Sequence, residues 1–270
     1  MDDRPLGIFD SGLGGLTVAR ALREVMPGES LIYLGDTARV PYGNKSSETI
    51  IRYSRENSRF LLSRDVKAVV VACNTASAYA LETLRVELKT PVFGVIEAGV
   101  EAALKATKNN RVGIMGTSGT IRSSAYQDAL KAKRPDIQLV AEATPLLVPL
   151  IEEDWLDHAA TRSILEEYLW KFRRAGVDTL VLACTHYPLL KPTLLDMLGP
   201  SVELVDSART CADYVRRELE QSGSLSAQPG GAGMEVYLTD QPAQFTRLAE
   251  RFLKQKLEHV EVISVDGTHF

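Results

Sequence analysis

The stretches VVVACNTA (residues 69–76) and VLACTHYP (residues 181–188) decide how this chain folds. In each, a continuous apolar run, Val69 to Ala72 and Leu180 to Ala183, reads as a parallel strand buried on both faces, and a short polar step then opens a helix. The thiols of Cys73 and Cys184 therefore fall at strand C-terminal ends, the sheet edge where loops and helix N-termini offer unpaired N–H groups to a ligand. The two cysteines lie 111 positions apart, and GIFDSG (residues 7–12) is echoed by GIMGTSG (residues 113–119) at an offset of 106. Two echoes at nearly one offset predict a duplicated α/β unit, each copy a mainly parallel sheet flanked by helices.

Outward from the cysteines the alternation continues. Leu6 to Asp10 reads as the first strand, followed by SGLGG and a helix over about Leu13 to Met26. Leu31 to Leu34 is the second strand, and the loop Gly35 to Lys45 is long enough to serve a ligand. A helix from Ser47 to Arg64, the Cys73 strand with its helix to about Leu88, a strand at Pro91 to Val95 and a helix through Lys105 complete the first unit. The second runs through strands at Arg111 to Met115 and Ile137 to Ala141 and a helical stretch from Thr144 to Arg174, broken before His158. The Cys184 strand, a helix over Tyr187 to Leu198 and a strand at Ser201 to Val205 follow, and Asp206 is placed to cap a helix ending near Gln221. SGSLSAQPGGAG (residues 222–233) reads as a flexible loop before a strand at Met234 to Leu238, a helix from Pro242 to Lys254 and a strand at Val260 to Ser264.

Composition excludes several classes. With 270 residues and 45% hydrophobic content the chain can bury sizeable cores in about two domains. A net charge of −4 with interspersed signs gives no basic stripe for nucleic acid, and no apolar stretch approaches a membrane span. The start carries no signal segment and three cysteines without short spacing suit a reducing compartment, so the expected location is the cytoplasm. No CxxC or HExxH motif is present, so no metal is expected.

Each chemical reading has a plainer rival. A lone cysteine in a strand is ordinarily a small core residue, and Cys211, inside a helix, is read that way. The matched context of Cys73 and Cys184 instead favours a pair. Asp10, closing the first strand, either caps a helix or projects into the cleft of Cys73. His186 points to the side of Cys184 if the chain is still extended there, whereas His158 and His259 read as solvated and Glu152 as a residue of a wet helix face. Gly12-Leu13-Gly14 with Asp36 imitates part of a dinucleotide fingerprint, but Thr17 stands where the third glycine belongs, and no lysine at a strand end suits pyridoxal. Two opposed thiols without cofactor can remove a proton from one face of a carbon and deliver one to the other, inverting the centre. Asp10 and His186 would assist Cys73 and Cys184 respectively, and N–H groups and hydroxyls at Ser11, Thr75, Thr117 and Thr185 would hold carboxylates.

Taken together, DSGLGGLTV, GDTARVPYG, VVACNTASA, GVIEAG, GTSGTI and LACTHYPLL closely resemble the glutamate racemase family of the aspartate/glutamate racemase superfamily, over Gly7 to about Ser207. The resemblance implies cofactor-independent interconversion of L- and D-glutamate, supplying D-glutamate for bacterial peptidoglycan. It implies Cys73 and Cys184 as the acid/base pair, assisted by Asp10, Glu152 and His186. Substrate binding would fall to Asp10-Ser11, Tyr42-Gly43, Asn74-Thr75 and Thr185-His186, with Thr117 and Thr120. It also implies two α/β domains related by a pseudo-two-fold, residues 1–96 plus 207–270 and residues 97–206, with the active site in the cleft between them. The expected partner is glutamate, with a homodimer as candidate assembly. Aspartate racemase, a non-catalytic amino-acid-binding module and a thiol hydrolase using Cys184 and His186 are the alternatives.

Overall fold

The computed structural model describes residues 1–230, 232–241, 245–257 and 259–265. The apolar runs form parallel strands in two sheets. In the first lie β1 (Leu6–Asp10), β2 (Leu31–Gly35), β3 (Ala68–Val71) and β4 (Val92–Gly94); in the second, β5 (Arg111–Gly116), β6 (Gln138–Ala143), β7 (Thr179–Ala183) and β8 (Glu203–Asp206). The chain then returns to the first sheet with β9 (Met234–Leu238) and β10 (Val260–Val262), giving the orders β10-β9-β2-β1-β3-β4 and β6-β5-β7-β8. β5 to β8 repeat the order of β1 to β4, so the duplication expected from the cysteine and glycine echoes is present in the topology. All the strand pairs are parallel, and β1, β3 and β7 are buried at every position, which is why their sequences are continuous apolar runs without alternation.

Helices cover both faces. α1 (Leu16–Val25), α2 (Ser47–Ser63), α3 (Asn74–Glu87) and α4 (Ile96–Ala106) follow the first four strands, and α5 (Ser118–Arg122), α6 (Ala125–Lys133), α7 (Leu147–Glu152), α8 (Ala159–Ala175) and α9 (Lys191–Leu198) belong to the second sheet. α10 (Ser207–Gln221) carries the chain back and α11 (Phe245–Leu253) lies between β9 and β10. Asp206 caps α10 as its position suggests, Oδ1 accepting from the Ala208 N–H at 2.9 Å. One apolar cluster runs from α1 through α4 and α10 into the second sheet, so the two lobes share a core; a second cluster fills the α2 and α3 side of the first sheet.

Several boundaries differ from the sequence expectation. α1 starts at Leu16, not Leu13, with Gly15 at its N-cap. The break expected before His158 is present: the stretch from Thr144 divides into α7 and α8 at a turn where Asp154 has a positive φ of 64° and His158 Nδ1 accepts from Ala160 N–H at 3.1 Å, starting the next helix. After β7 the chain makes a 3-10 turn (Tyr187–Leu190), with Pro188 near its start, before α9. The expected helix start at Pro242 lies outside the described residues. Among the described residues no helix is long and apolar enough to cross a membrane.

Candidate active site

In each sheet the strand order reverses about its first strand, and each cysteine follows the strand just across that reversal: Cys73 after β3, beside β1, and Cys184 after β7, beside β5. Such switch points are where helix N-termini diverge and leave a crevice. Thirteen residues line one small cavity there, of about 40 Å³, including Ser11, Tyr42, Gly43, Cys73, Asn74, Thr75, Thr117, Cys184, Thr185 and His186. Both thiols thus face one space. It adjoins an outer cavity of about 300 Å³, and Val40, Pro41, Gly43, Thr117 and Val148 line both.

Cys73 is the N-cap of α3: its Sγ accepts from Ala76 N–H at 3.5 Å and donates to Ser11 Oγ at 3.6 Å. The first N–H groups of α3, on Asn74 and Thr75, have no carbonyl of their own helix to bond and so suit a carboxylate. Burial, and then the neighbouring Asp10 carboxylate, push the Cys73 thiol up to about 12. Asp10 is fully buried at the end of β1; its Oδ2 accepts from Gly12 N–H at 3.0 Å, and α1 begins several residues later, so it turns the loop and does not cap the helix. Burial raises Asp10 above the usual carboxylate range, opposed by the charge of His186.

The other side is built differently. Cys184 Sγ lies 3.9 Å from His186 Nδ1, and His186 Nε2 lies 3.0 Å from Glu152 Oε1 at the end of α7. Burial disfavours the imidazolium, but hydrogen bonds to Cys184 and Glu152 outweigh it and lift His186 to about 10. The ring is then a cation, donating through both nitrogens. The pseudo-symmetric lobes therefore offer unlike sulfurs: Cys73 near a carboxylate, Cys184 beside a cation.

The remaining expected residues fall in two groups. The hydroxyls of Thr75, Thr117 and Thr120 form a triangle with sides of 2.9, 3.1 and 3.0 Å across the lobes; Thr75 and Thr117 line the cavity and the fully buried Thr120 stands behind them. Tyr42 lines the cavity, but its hydroxyl turns away, donating to the buried Asp36 carboxylate and accepting from Asn57 Nδ2 at 3.1 Å. Asn74 directs its side chain inward, Oδ1 accepting from Tyr126 O–H at 2.8 Å and Nδ2 donating to Ser207 Oγ at 3.4 Å. Glu152, read from spacing alone as a wet helix residue, is the partner of His186. Tyr126, Ser207 and Thr17 make contacts that cross between distant segments, and local sequence pattern carries no signal of that kind.

A protein-family model described as Asp/Glu/Hydantoin racemase matches residues 16–215. The chain is 50% identical over 265 residues, 98% of both proteins, to a glutamate racemase of Geobacter metallireducens, and 48% identical over 263 residues, 97% of both, to one from Neisseria meningitidis. It is similar to the crystal structure of a glutamate racemase isoform of Bacillus anthracis (TM-score 0.93, 35% identity, 98% of each chain). Similarity is equally close to a glutamate racemase of Francisella tularensis in complex with D-glutamate (TM-score 0.92, 35% identity, 98% of this chain and 99% of that one). An aspartate racemase of Picrophilus torridus shares the fold at 19% identity and a TM-score of 0.57.

Proposed function

The chain belongs to the Asp/Glu/Hydantoin racemase family, and on that premise we propose that it racemises glutamate with Cys73 and Cys184 as the two acid/base groups. The reading is carried by one observation: both sulfurs line the same small cavity, each at the switch point of its own sheet. In one direction a thiolate takes the α-hydrogen as a proton, breaking C–H and forming S–H, and the opposite thiol gives its proton to the other face of the carbon. The second thiolate so formed is the base of the reverse reaction. High affinity of Cys73 for its proton supports a donor there, and His186, with Nδ1 3.9 Å from Cys184 Sγ, is placed to exchange a proton with that sulfur. Glu152 holds the imidazole, the Asp10 carboxylate acts through its charge on Cys73 and His186, and N–H groups at Asn74, Thr75 and Thr185 would stabilise the charge spreading onto the α-carboxylate. Glutamate is favoured over aspartate because the relatives near 50% identity are glutamate racemases, whereas the aspartate racemase shares only the fold.

The proposal extends to a cytoplasmic, cofactor-independent enzyme that supplies D-glutamate for peptidoglycan, active as a homodimer. Its domains are proposed as residues 1–96 plus 207–270 and 97–206, supported by the two sheets. Without added cofactor, L- or D-glutamate should exchange its α-hydrogen in D₂O and lose optical activity. Cys73→Ala and Cys184→Ala should each lower racemisation by roughly 10³-fold or more while the circular dichroism of the fold is kept. Absence of exchange with either enantiomer removes the racemase reading; full activity in either variant removes the two-thiol assignment.

A further inference from the structure

We propose that Thr17 is a positioning residue for the reaction, its hydroxyl in the first lobe holding the Thr185 carbonyl of the second and thereby fixing the Thr185-His186 step beside Cys184. The inference rests on the racemase reading above.

Thr17 lies in the first turn of α1 and is fully buried. Its Oγ1 is 2.8 Å from the Gly14 carbonyl and 3.0 Å from the Thr185 carbonyl, so one proton serves a local acceptor and one from the other lobe. The local bond is the ordinary way a helical threonine satisfies itself. The second has a specific cause. The backbone N–H three residues beyond Thr185 would belong to Pro188, which has none, and the next, on Leu189, goes to the His186 carbonyl at 3.1 Å. The buried Thr185 carbonyl therefore needs a donor from outside its own turn, and Thr17 supplies it.

The approach is close because Gly14 has no side chain: a Cβ there would stand 2.2 Å from Thr185 Oγ1 and 2.3 Å from His186 Nδ1. The glycine run and the threonine in place of a third glycine thus form a seat for the other lobe, and a dinucleotide is not needed to explain them. His186 sits between Cys184 and Glu152. A shift of the Thr185-His186 step would therefore misplace the cation relative to Cys184 while leaving Cys73 and its partners unchanged.

The test compares wild type, Thr17→Val, which keeps the shape and loses the hydroxyl, and Thr17→Ser, which keeps it. Polarimetry of both enantiomers and primary isotope effects with α-deuterated L- and D-glutamate are measured alongside thermal unfolding. Thr17→Val should lower kcat/KM on the order of 10²-fold, mainly through kcat. The enantiomers have equal free energy, so the fall in kcat/KM must be the same in both directions, but the isotope effect should rise only for the enantiomer whose proton goes to Cys184. Thr17→Ser should stay within about threefold of wild type. Thr17→Val that racemises like wild type, isotope effects that change equally for both enantiomers, or a Thr17→Ser variant as impaired as Thr17→Val would each overturn the proposal. Should Thr17→Val not fold, Thr17→Ala carries the same comparison. A wild type that does not racemise glutamate would instead overturn the underlying reading, which keeps the two failures distinct.

Discussion

His186 is where opposing influences on one residue can be separated by experiment. Burial alone would neutralise the ring, and its hydrogen bonds to Cys184 and Glu152 hold it charged, up to about 10. On the alkaline side it should lose its proton before Cys73, which burial and Asp10 hold up to about 12. Glu152→Gln removes one of the groups that raise His186, so the alkaline limb of kcat/KM should move to lower pH, with kcat down roughly 10-fold to 100-fold. An unmoved limb, followed by polarimetry across the alkaline range, would separate the limb from this imidazole. Residues differ in how far sequence reveals them. Cys73 and Cys184 were legible because the strand before each and the polar step after it are contiguous with it. Glu152 was not, since its partner lies 34 positions away beyond α8 and β7, and Thr17 bonds to a residue 168 positions distant.

Among the elements, α11 has the most to tell. The described residues of this helix bury Phe245, Leu248, Phe252 and Leu253. Phe252 meets the His186 ring edge-on with centroids 5.3 Å apart, while Arg247 and Arg251 reach Asp154, two residues beyond Glu152. A C-terminal helix thus backs the His186 imidazole from behind. Phe252→Ala should cost about 3–5 kcal/mol in urea unfolding through the cavity it leaves. It should also reduce kcat, because the ring loses a wall; a stability loss with unchanged kcat would show that α11 is packing alone. Strands and helices up to β8 were legible from apolar runs and polar steps. The break between α7 and α8 was legible too, just before His158, whereas the 3-10 form of the turn after Cys184 was not. No sequence motif marks β9 and β10 as neighbours of β2, since that placement is decided by which edge of the first sheet remains free.

For the whole molecule, the first sheet is tied at its other edge, away from the chemistry, by a buried ion pair. Lys67 Nζ lies 2.6 Å from Glu29 Oε2, with side chains 1% and 2% exposed, and donates to the Asp2 and Ser224 carbonyls at 2.6 and 2.9 Å. Glu29 Oε1 accepts from Ser226 N–H at 2.8 Å, so the segment read as flexible is pinned at its first half. Lys67→Met alone strands a buried carboxylate and should cost about 3–5 kcal/mol, whereas Lys67→Met with Glu29→Leu should recover most of it. Urea midpoints check both, and kcat should be unchanged in the folded fraction; equal destabilisation of single and double variants would contradict the pairing. The small inner cavity has a kinetic meaning. At about 40 Å³ it has room for about three waters and far less than a glutamate. Entry of glutamate therefore requires the lining of this cavity to move apart, and the more readily it does so the tighter the apparent binding. Affinity in this enzyme then depends on how readily that lining yields as well as on what it touches once substrate is in place.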